Sequence, residues 1–408
     1  MGRILSPKWF RIALINLVIV ALYGSLMRYK IAFDFPFLEQ KKLLNAHSHF
    51  AFAGWISHVL YCGFLLLIAP FIKDSSHIKY KALIILNLVS AYGMLISFTL
   101  QGYQLVSIAF STLSIITAVI FTVLFIRDSK NFPPQHAAKP WAVTALLLNV
   151  ISAAGPFYLA YMMFSKNFDQ YNYLASVYYY LHFQYSGWFF FGFIAIIANK
   201  LPISKTVLNK YYTLFAVSVI PAFFLSILWY KLPLWLYILT VAACLLQLFT
   251  WLVLMFKLWP VLNKQPIPYP RWVKIFFYAA ATALTIKFVL QAVSVVPYLS
   301  HFAFSIRSIV IAFLHLILLG IYSLFIIGYL FVKKNIHTGP VAKYAAFSFL
   351  AGVVLNELVL ALLGIAAFYY LSIPYSNYML FGAAIILFAS ALFLWGSQVI
   401  ERKKTRNP

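Results

Sequence analysis

The chain has 408 residues, of which 64% are hydrophobic and only 9% are charged. Soluble domains normally carry about a quarter charged residues, so this composition excludes a soluble globular protein. The formal net charge of +24 would suit a nucleic-acid-binding protein, but the cations lie between long apolar runs, and we expect no nucleic-acid partner.

Apolar runs of roughly 20 residues, each long enough to cross a bilayer, recur along the whole chain. They predict an all-α, polytopic membrane protein with about 12 transmembrane helices, built as a single integral membrane domain over 1–408 and surrounded by membrane lipid. The first run is too long for a cleaved signal peptide, so we expect it to be retained as a helix. The predicted spans are 8–27, 47–72, 80–102, 104–126, 141–164, 173–199, 208–230, 233–256, 272–296, 302–332, 343–368 and 376–399.

The positions of the lysines and arginines predict an orientation. If the N-terminus is cytoplasmic, the inside segments carry 23 of the 31 Lys and Arg residues and the outside segments carry 6. Cytoplasmic loops of membrane proteins are enriched in these cations. We therefore expect cytoplasmic N- and C-termini in a bacterial-type inner membrane. The two remaining cations, Lys287 and Arg307, lie within predicted spans, in the outer third of the bilayer.

Five histidines lie in apolar spans that enter the membrane from the same side: His47, His49, His182, His301 and His315. An imidazole in hydrocarbon is costly unless something binds it, and such residues usually mark a functional site. The orientation places all five in the outer half of the bilayer. The set predicts haem or metal binding, although each imidazole singly could be bonded to a neighbouring helix.

The surroundings of the histidines rank them only in part. His47 and His49 point to nearly opposite faces of a helix, because two helical residues are about 200° apart. One of them can face a given ligand, and the sequence leaves the choice open. His315 lies in a wholly apolar stretch and is the strongest ligand candidate. Cys62 and Cys244 are expected to be buried small residues rather than metal ligands.

Three motifs carry a resemblance to a known group: AHSHFAFAGW around His47 and His49, LHFQYSGW around His182, and FLHLILLG around His315. With a 12-helix layout, this pattern resembles subunit I of the haem-copper oxidase superfamily and is similar to NnrS-type haem and copper membrane proteins linked to nitric-oxide stress. The resemblance implies haem as cofactor, with copper as a second one. It implies a quinol or cytochrome c as electron donor.

Carried over to this chain, the resemblance makes His47 or His49 an axial ligand of a low-spin haem and His315 a haem ligand. His182 corresponds to a copper ligand, and His301 is kept as a further metal-ligand candidate. No histidine lies between His182 and His301, whereas the oxidases carry further copper ligands near helix seven. We therefore expect an incomplete copper centre, with electron transfer or the handling of O2 or NO as the function and catalytic turnover left open.

Arg307 and Lys287 suit the haem interpretation, because haem propionates need cationic partners and arginine binds carboxylates in a bidentate manner. An ion pair with Glu357 is the structural alternative. Two other functions stay open. A secondary transporter would use a binding site between repeats, but no convincing repeat relates the two halves. A non-catalytic protein of haem assembly or sensing would bind haem without turnover.

Overall fold

The computed structural model describes residues 5–264, 269–300 and 306–406, and within these ranges the regular structure is helical throughout. We number the long helices α1 to α12 in chain order. They are α1 (Lys8–Ala32), α2 (Gln40–Phe71), α3 (Asp74–Gln101), α4 (Leu105–Asn131), α5 (Ala138–Ser165), α6 (Gln170–Lys200), α7 (Lys205–Val219 with Pro221–Ile227), α8 (Leu234–Leu262), α9 (Arg271–Val293), α10 (Arg307–Val332), α11 (Pro340–Phe368) and α12 (Ser376–Ile400).

Eleven of these helices are individually long and apolar enough to cross a membrane, and α7 makes twelve if its two halves, bent by 42°, form one span. The predicted multi-pass all-α architecture is therefore confirmed for the described residues. The largest boundary difference is at α2, which begins at Gln40 rather than at residue 47. Its first turn is polar and carries Lys41 and Lys42, so hydropathy alone misses it. As a result His47 lies two turns inside the helix.

The helices α1 and α12 pack antiparallel, because Ser25 Oγ donates to Ala384 O at 2.9 Å and the Phe33 ring contacts Tyr378. Lys8 and Ile400 therefore lie at the same end of the bundle, which we call the termini end, and the opposite end is the far end. Short connections join the helices. At the far end, Gly102 adopts φ of 69° after α3, and its N–H donates to Phe98 O at 3.0 Å. This left-handed conformation favours glycine. The Gln104 N–H then donates to Ser107 Oγ at 2.9 Å, which caps α4.

Three helices widen into π-helical segments at the centre of the bundle. The segments are Ala51–Ser57 in α2, Phe183–Phe189 in α6 and Leu316–Ser323 in α10. A π-helical segment has hydrogen bonds between residues five apart instead of four apart, and such segments occur frequently at functional sites.

Side chains of the π-helical segments link them to one another. Trp188 Nε1 donates to Ser57 Oγ at 3.0 Å, and Trp55 Nε1 donates to Ser323 Oγ at 2.9 Å. The Tyr322 hydroxyl donates to Tyr185 O and closes the triangle. The three helices that carry the motif histidines therefore meet at one core.

The three central helices differ in how deeply they are buried. In the most apolar window of each helix, 89% of α2 and 83% of α6 are buried, against 39% of α10. The difference lies in the first nine residues of α10, Arg307–His315, which are at its far end and include no buried side chain. The rest of α10 packs into the core. The first nine residues of α10 are therefore less buried than the central segments of α2 and α6, and we call the region between these nine residues, α1 and His47 the crevice.

Candidate functional site

Two residue stripes with a four-residue spacing face the crevice. On α1 the stripe is Val20, Gly24 and Arg28, and on α10 it is Arg307, Ile311 and His315. Residues four apart share one face of a helix. Arg28 lies about 12 Å nearer the far end than Val20, and Arg307 lies about 12 Å nearer it than His315. The two arginines are therefore on the same side of the crevice.

His47 and His315 use the same hydrogen-bonding pattern. His47 Nδ1 lies 3.1 Å from Val20 O, and His315 Nδ1 lies 2.9 Å from Ile311 O. A carbonyl oxygen can only accept, so each Nδ1 carries the proton and each Nε2 carries a lone pair. Neither Nε2 has a hydrogen-bond partner among the described residues, and neither is one of the fully enclosed unpaired atoms. Both nitrogens therefore remain accessible as ligands.

The two imidazoles lie at matching depths. Counted from the far end of each helix, His47 is about 10 Å into α2 and His315 is about 12 Å into α10. His315 lies within electrostatic range of His47 and of Arg28, and His47 lies within range of Arg28. On α1, a Cβ added to Gly24 would lie 3.4 Å from His47 Cε1. Glycine at this point lets the backbone of α1 lie close to the ring.

Arg28 and Arg307 are close enough for their charges to interact. Arg28 is half-buried and Arg307 is exposed. Within 5–264, 269–300 and 306–406, no carboxylate lies within 4 Å of either guanidinium. In particular, Glu357 accepts from Asn356 Nδ2 at 3.0 Å and forms no ion pair with Arg307, which was the alternative left open by the sequence. The two arginines together offer a site for an anion.

His49 faces away from this crevice. Its Nδ1 donates to Asn45 O at 2.9 Å, and its Nε2 lies 3.3 Å from the Tyr103 hydroxyl. The ring packs on Phe98 with centroids 4.4 Å apart. Both nitrogens are therefore used, and the structure brings His47 rather than His49 together with His315.

His182 is fully enclosed and contacts the bend of α7. Pro221 begins a short 3-10 stretch in which Phe223 N–H donates to Ile220 O, so Val219 O has no helical partner. His182 Nε2 donates to Val219 O at 2.8 Å, and His182 Nδ1 is enclosed without a partner. The imidazole thus satisfies a backbone carbonyl that the bend would otherwise leave unpaired.

The sequence grouped Lys287 with Arg307 as a partner of haem propionates, but the two cations lie in different parts of the structure. It is 3% exposed, donates to Ser186 Oγ at 3.0 Å and interacts electrostatically with His182. It therefore belongs to a second polar cluster between α6, α8 and α9. We refer to the first cluster as the crevice site and to the second as the enclosed site.

In the described part of the chain, no further metal-binding side chains accompany the predicted copper ligands. Among the residues that the structure describes, no group of three or more His, Cys, Asp or Glu side chains could hold a metal ion. His301 lies outside the described residues. His58 is fully buried and its Nε2 bonds Trp9 O at 3.0 Å. The copper ligands inferred at His182 and His301 therefore stay a prediction.

The donor set of the crevice site fits haem. It offers two imidazole Nε2 atoms with free lone pairs, both set by Nδ1–H···O=C bonds, which is how metal-binding histidines are commonly oriented. It also offers two unpaired guanidinium groups for carboxylates. No known protein family matches the sequence. No curated protein matches it at a significant level.

The sequence interpretation missed two features of these sites. Arg28 lies just beyond the predicted first span, 8–27, although α1 continues to Ala32. The second is a threefold spacing, since Gly54, Gly187 and Gly320 each follow His49, His182 and His315 by five residues, inside the π-helical segments. Comparing thirds of the chain, rather than halves, would have found it.

Proposed function

We propose that this chain is a haem-binding integral membrane protein, with His47 and His315 as the two axial ligands, that transfers electrons or handles a diatomic gas such as O2 or NO. The observation that carries the proposal is the pairing of these imidazoles at one depth, each with Nδ1 bonded to a carbonyl and Nε2 without a partner. When bound, haem supplies one-electron redox chemistry.

The residues of the crevice site have distinct tasks. Val20 O and Ile311 O hold the rings in the tautomer that presents Nε2, and such outer hydrogen bonds raise ligand basicity. Arg28 and Arg307 would bind the propionate carboxylates of a bound haem, because both guanidinium groups lie toward the far end of the crevice site.

Electron transfer is the first choice within this proposal. Two imidazole ligands would leave no free position on the iron, so binding a gas would require His47 or His315 to dissociate. We infer a quinol or cytochrome c as electron donor, as the resemblance implies. The bias of Lys and Arg supports a bacterial-type inner membrane with cytoplasmic termini, which puts the far end and the crevice site outside.

The proposal is tested by optical spectra of the detergent-purified protein, oxidised and dithionite-reduced, with haem and metal analysis of the same sample. A Soret band with sharp reduced α and β bands and a single haem per chain is expected. Copper in stoichiometric amount would reopen gas chemistry at His182. Colourless, metal-free protein after expression with ample haem would overturn the proposal and favour a transporter.

One feature favours the transporter as a second candidate. The 42° bend of α7 resembles the broken helices of transporters, whose freed carbonyls coordinate ions. Here the freed carbonyl of Val219 accepts a hydrogen bond from His182 instead. The bend therefore supports transport less strongly than the crevice site supports haem.

A further inference from the structure

Lys287 is a buried cation that takes no part in the proposed haem site. It lies on α9 with 3% of its surface exposed, and Ser186 Oγ, 3.0 Å from its Nζ, is its hydrogen-bond partner. Across the described ranges, no carboxylate lies within 4 Å of it. An ammonium buried without a counter-charge is strongly unfavourable.

The aromatic surroundings of Lys287 favour the charged amine. Its Nζ lies 4.5 Å from the centre of the Phe288 ring and 5.8 Å from that of Tyr185. The negative faces of these rings stabilise a cation within about 6 Å. They do not neutralise it, so a negative partner would still be stabilising.

A small cavity of about 10 Å³ adjoins the amine. Its polar wall consists of Lys287, Ser186 and Gln247, and phenyl rings form much of the rest. A cavity of this size accommodates about one water-sized species. Gln247 is 4% exposed and has no hydrogen-bond partner among the described residues, although its amide is not fully enclosed. Gln247 lines the cavity, so its amide can turn into it.

We propose that this cavity binds one small monovalent anion of the chloride class, held by the Lys287 ammonium, the Ser186 hydroxyl and the Gln247 amide. Ser186 accepts from Lys287, so its own proton is free to donate to the anion. An anion satisfies the amide N–H and neutralises the buried charge. A water molecule would fill the same volume but leave the charge uncompensated.

This inference does not depend on haem binding, and its test uses a different readout. Purified protein, with its haem content recorded, is melted in sodium chloride or bromide and in sodium gluconate of equal ionic strength. Wild-type protein is expected to show a saturable rise in Tm with halide. Equilibrium dialysis with radioactive chloride is expected to show one site per chain.

Lys287→Met supplies the decisive comparison, because it removes the charge and keeps most of the volume. This variant should lose the chloride site, and in gluconate it should melt higher than the wild type, since the unpaired charge is gone. The control is Lys257→Met, which changes an exposed lysine 5.8 Å from the Tyr211 ring. It should keep the halide response.

Two results would overturn the inference. Equal halide responses in the wild type and in Lys287→Met would place the effect elsewhere. No halide response and no bound chloride in the wild type would mean that the cavity holds water or that the amine is neutral. If Lys287→Met does not fold, Gln247→Leu gives the same test, because it removes the amide and should lower chloride affinity at least tenfold.

Discussion

The crevice site and the enclosed site begin from the same sequence feature and differ in what their imidazoles can do. His315 and His182 each directly precede a π-helical segment and each lie five residues before a glycine. His315 has a free, accessible Nε2, whereas the Nε2 of His182 bonds Val219 O. The comparison teaches that the motif places a histidine, but the neighbouring helix decides whether it can bind a ligand.

Exposure is the second difference. The first nine residues of α10 include no buried side chain, so His315 is only partly buried, and it lies within electrostatic range of Arg28 on α1. At the enclosed site, the bend of α7 brings Val219 against His182, and the remaining cavity is about 10 Å³. The cavity of the enclosed site is therefore too small for a haem, whereas the Nε2 of His315 is not fully enclosed.

Alanine substitution of the histidines should break the comparison most clearly. We expect His315→Ala and His47→Ala to abolish bound haem, because each removes one of two axial nitrogens. His182→Ala and His49→Ala should leave the haem spectrum unchanged. The measurement is the reduced-minus-oxidised spectrum per mole of purified protein. Retained haem in His315→Ala would show that the ligand assignment is wrong.

Removing Arg28 should have the next largest effect. Hydrogen bonds to charged groups contribute about 1.5–3 kcal/mol, so Arg28→Gln should weaken haem retention by about 10- to 150-fold. Competition with apomyoglobin for haem measures this loss. Lys30→Gln is the matched control, because Lys30 lies on the same end of α1 and bonds Phe35 O. If both variants lose haem equally, Arg28 has no specific role.

Glycine substitutions should show how tightly each π-helical segment is packed. A Cβ at Gly187 would lie 2.8 Å from Leu148 Cβ, and one at Gly320 would lie 3.2 Å from Ala283 Cβ. Gly187→Ala should therefore destabilise by about 1–3 kcal/mol, and Gly320→Ala by less. Gly382→Ala, whose Cβ would have no neighbour within 4 Å, is the control. Thermal unfolding in detergent gives the order, and a larger loss at Gly320 would contradict it.

The pH dependence of stability has the smallest expected effect. It arises at a contact outside both sites, so it measures the acid effect that is independent of them. At the termini end, Asn199 Oδ1 accepts from Ala137 N–H at 2.9 Å, so Asn199 Nδ2 donates to His136 Nε2 at 2.6 Å. Burial lowers the pKa of His136. The unfolded imidazole therefore takes up a proton first, and stability present above about pH 6.5 is lost as pH falls through the folded pKa.

The resulting change in Tm between about pH 7.5 and about pH 5.5 should be about 2 °C or less. Asn199→Asp distinguishes this contact from other acid effects. A carboxylate accepts from protonated His136, so the variant should lose less Tm on acidification than the wild type. An equal loss in both proteins would mean that His136 is not the responsible group. Hydropathy alone identifies His136 only as a polar residue between two spans, because its ring contacts depend on the fold.

The sequence by itself determined the class of protein, the approximate number of spans and the helices that carry the histidines. These follow from hydropathy, which depends on consecutive residues and on the thickness of the bilayer. The Lys and Arg residues between the spans predicted an orientation, because this signal also depends only on the local sequence. The start of α2 was missed because its first turn is polar.

Tertiary structure alone decided which histidines share a site and which nitrogens are free. His47 and His49 have almost the same local sequence, and only the packing of α1 and α3 separates their surroundings. Arg28 joined the crevice site, and Lys287 left it, because helix packing sets which faces of α1, α9 and α10 meet. A ligand site depends on groups from different helices at one depth, and consecutive residues do not encode that relation.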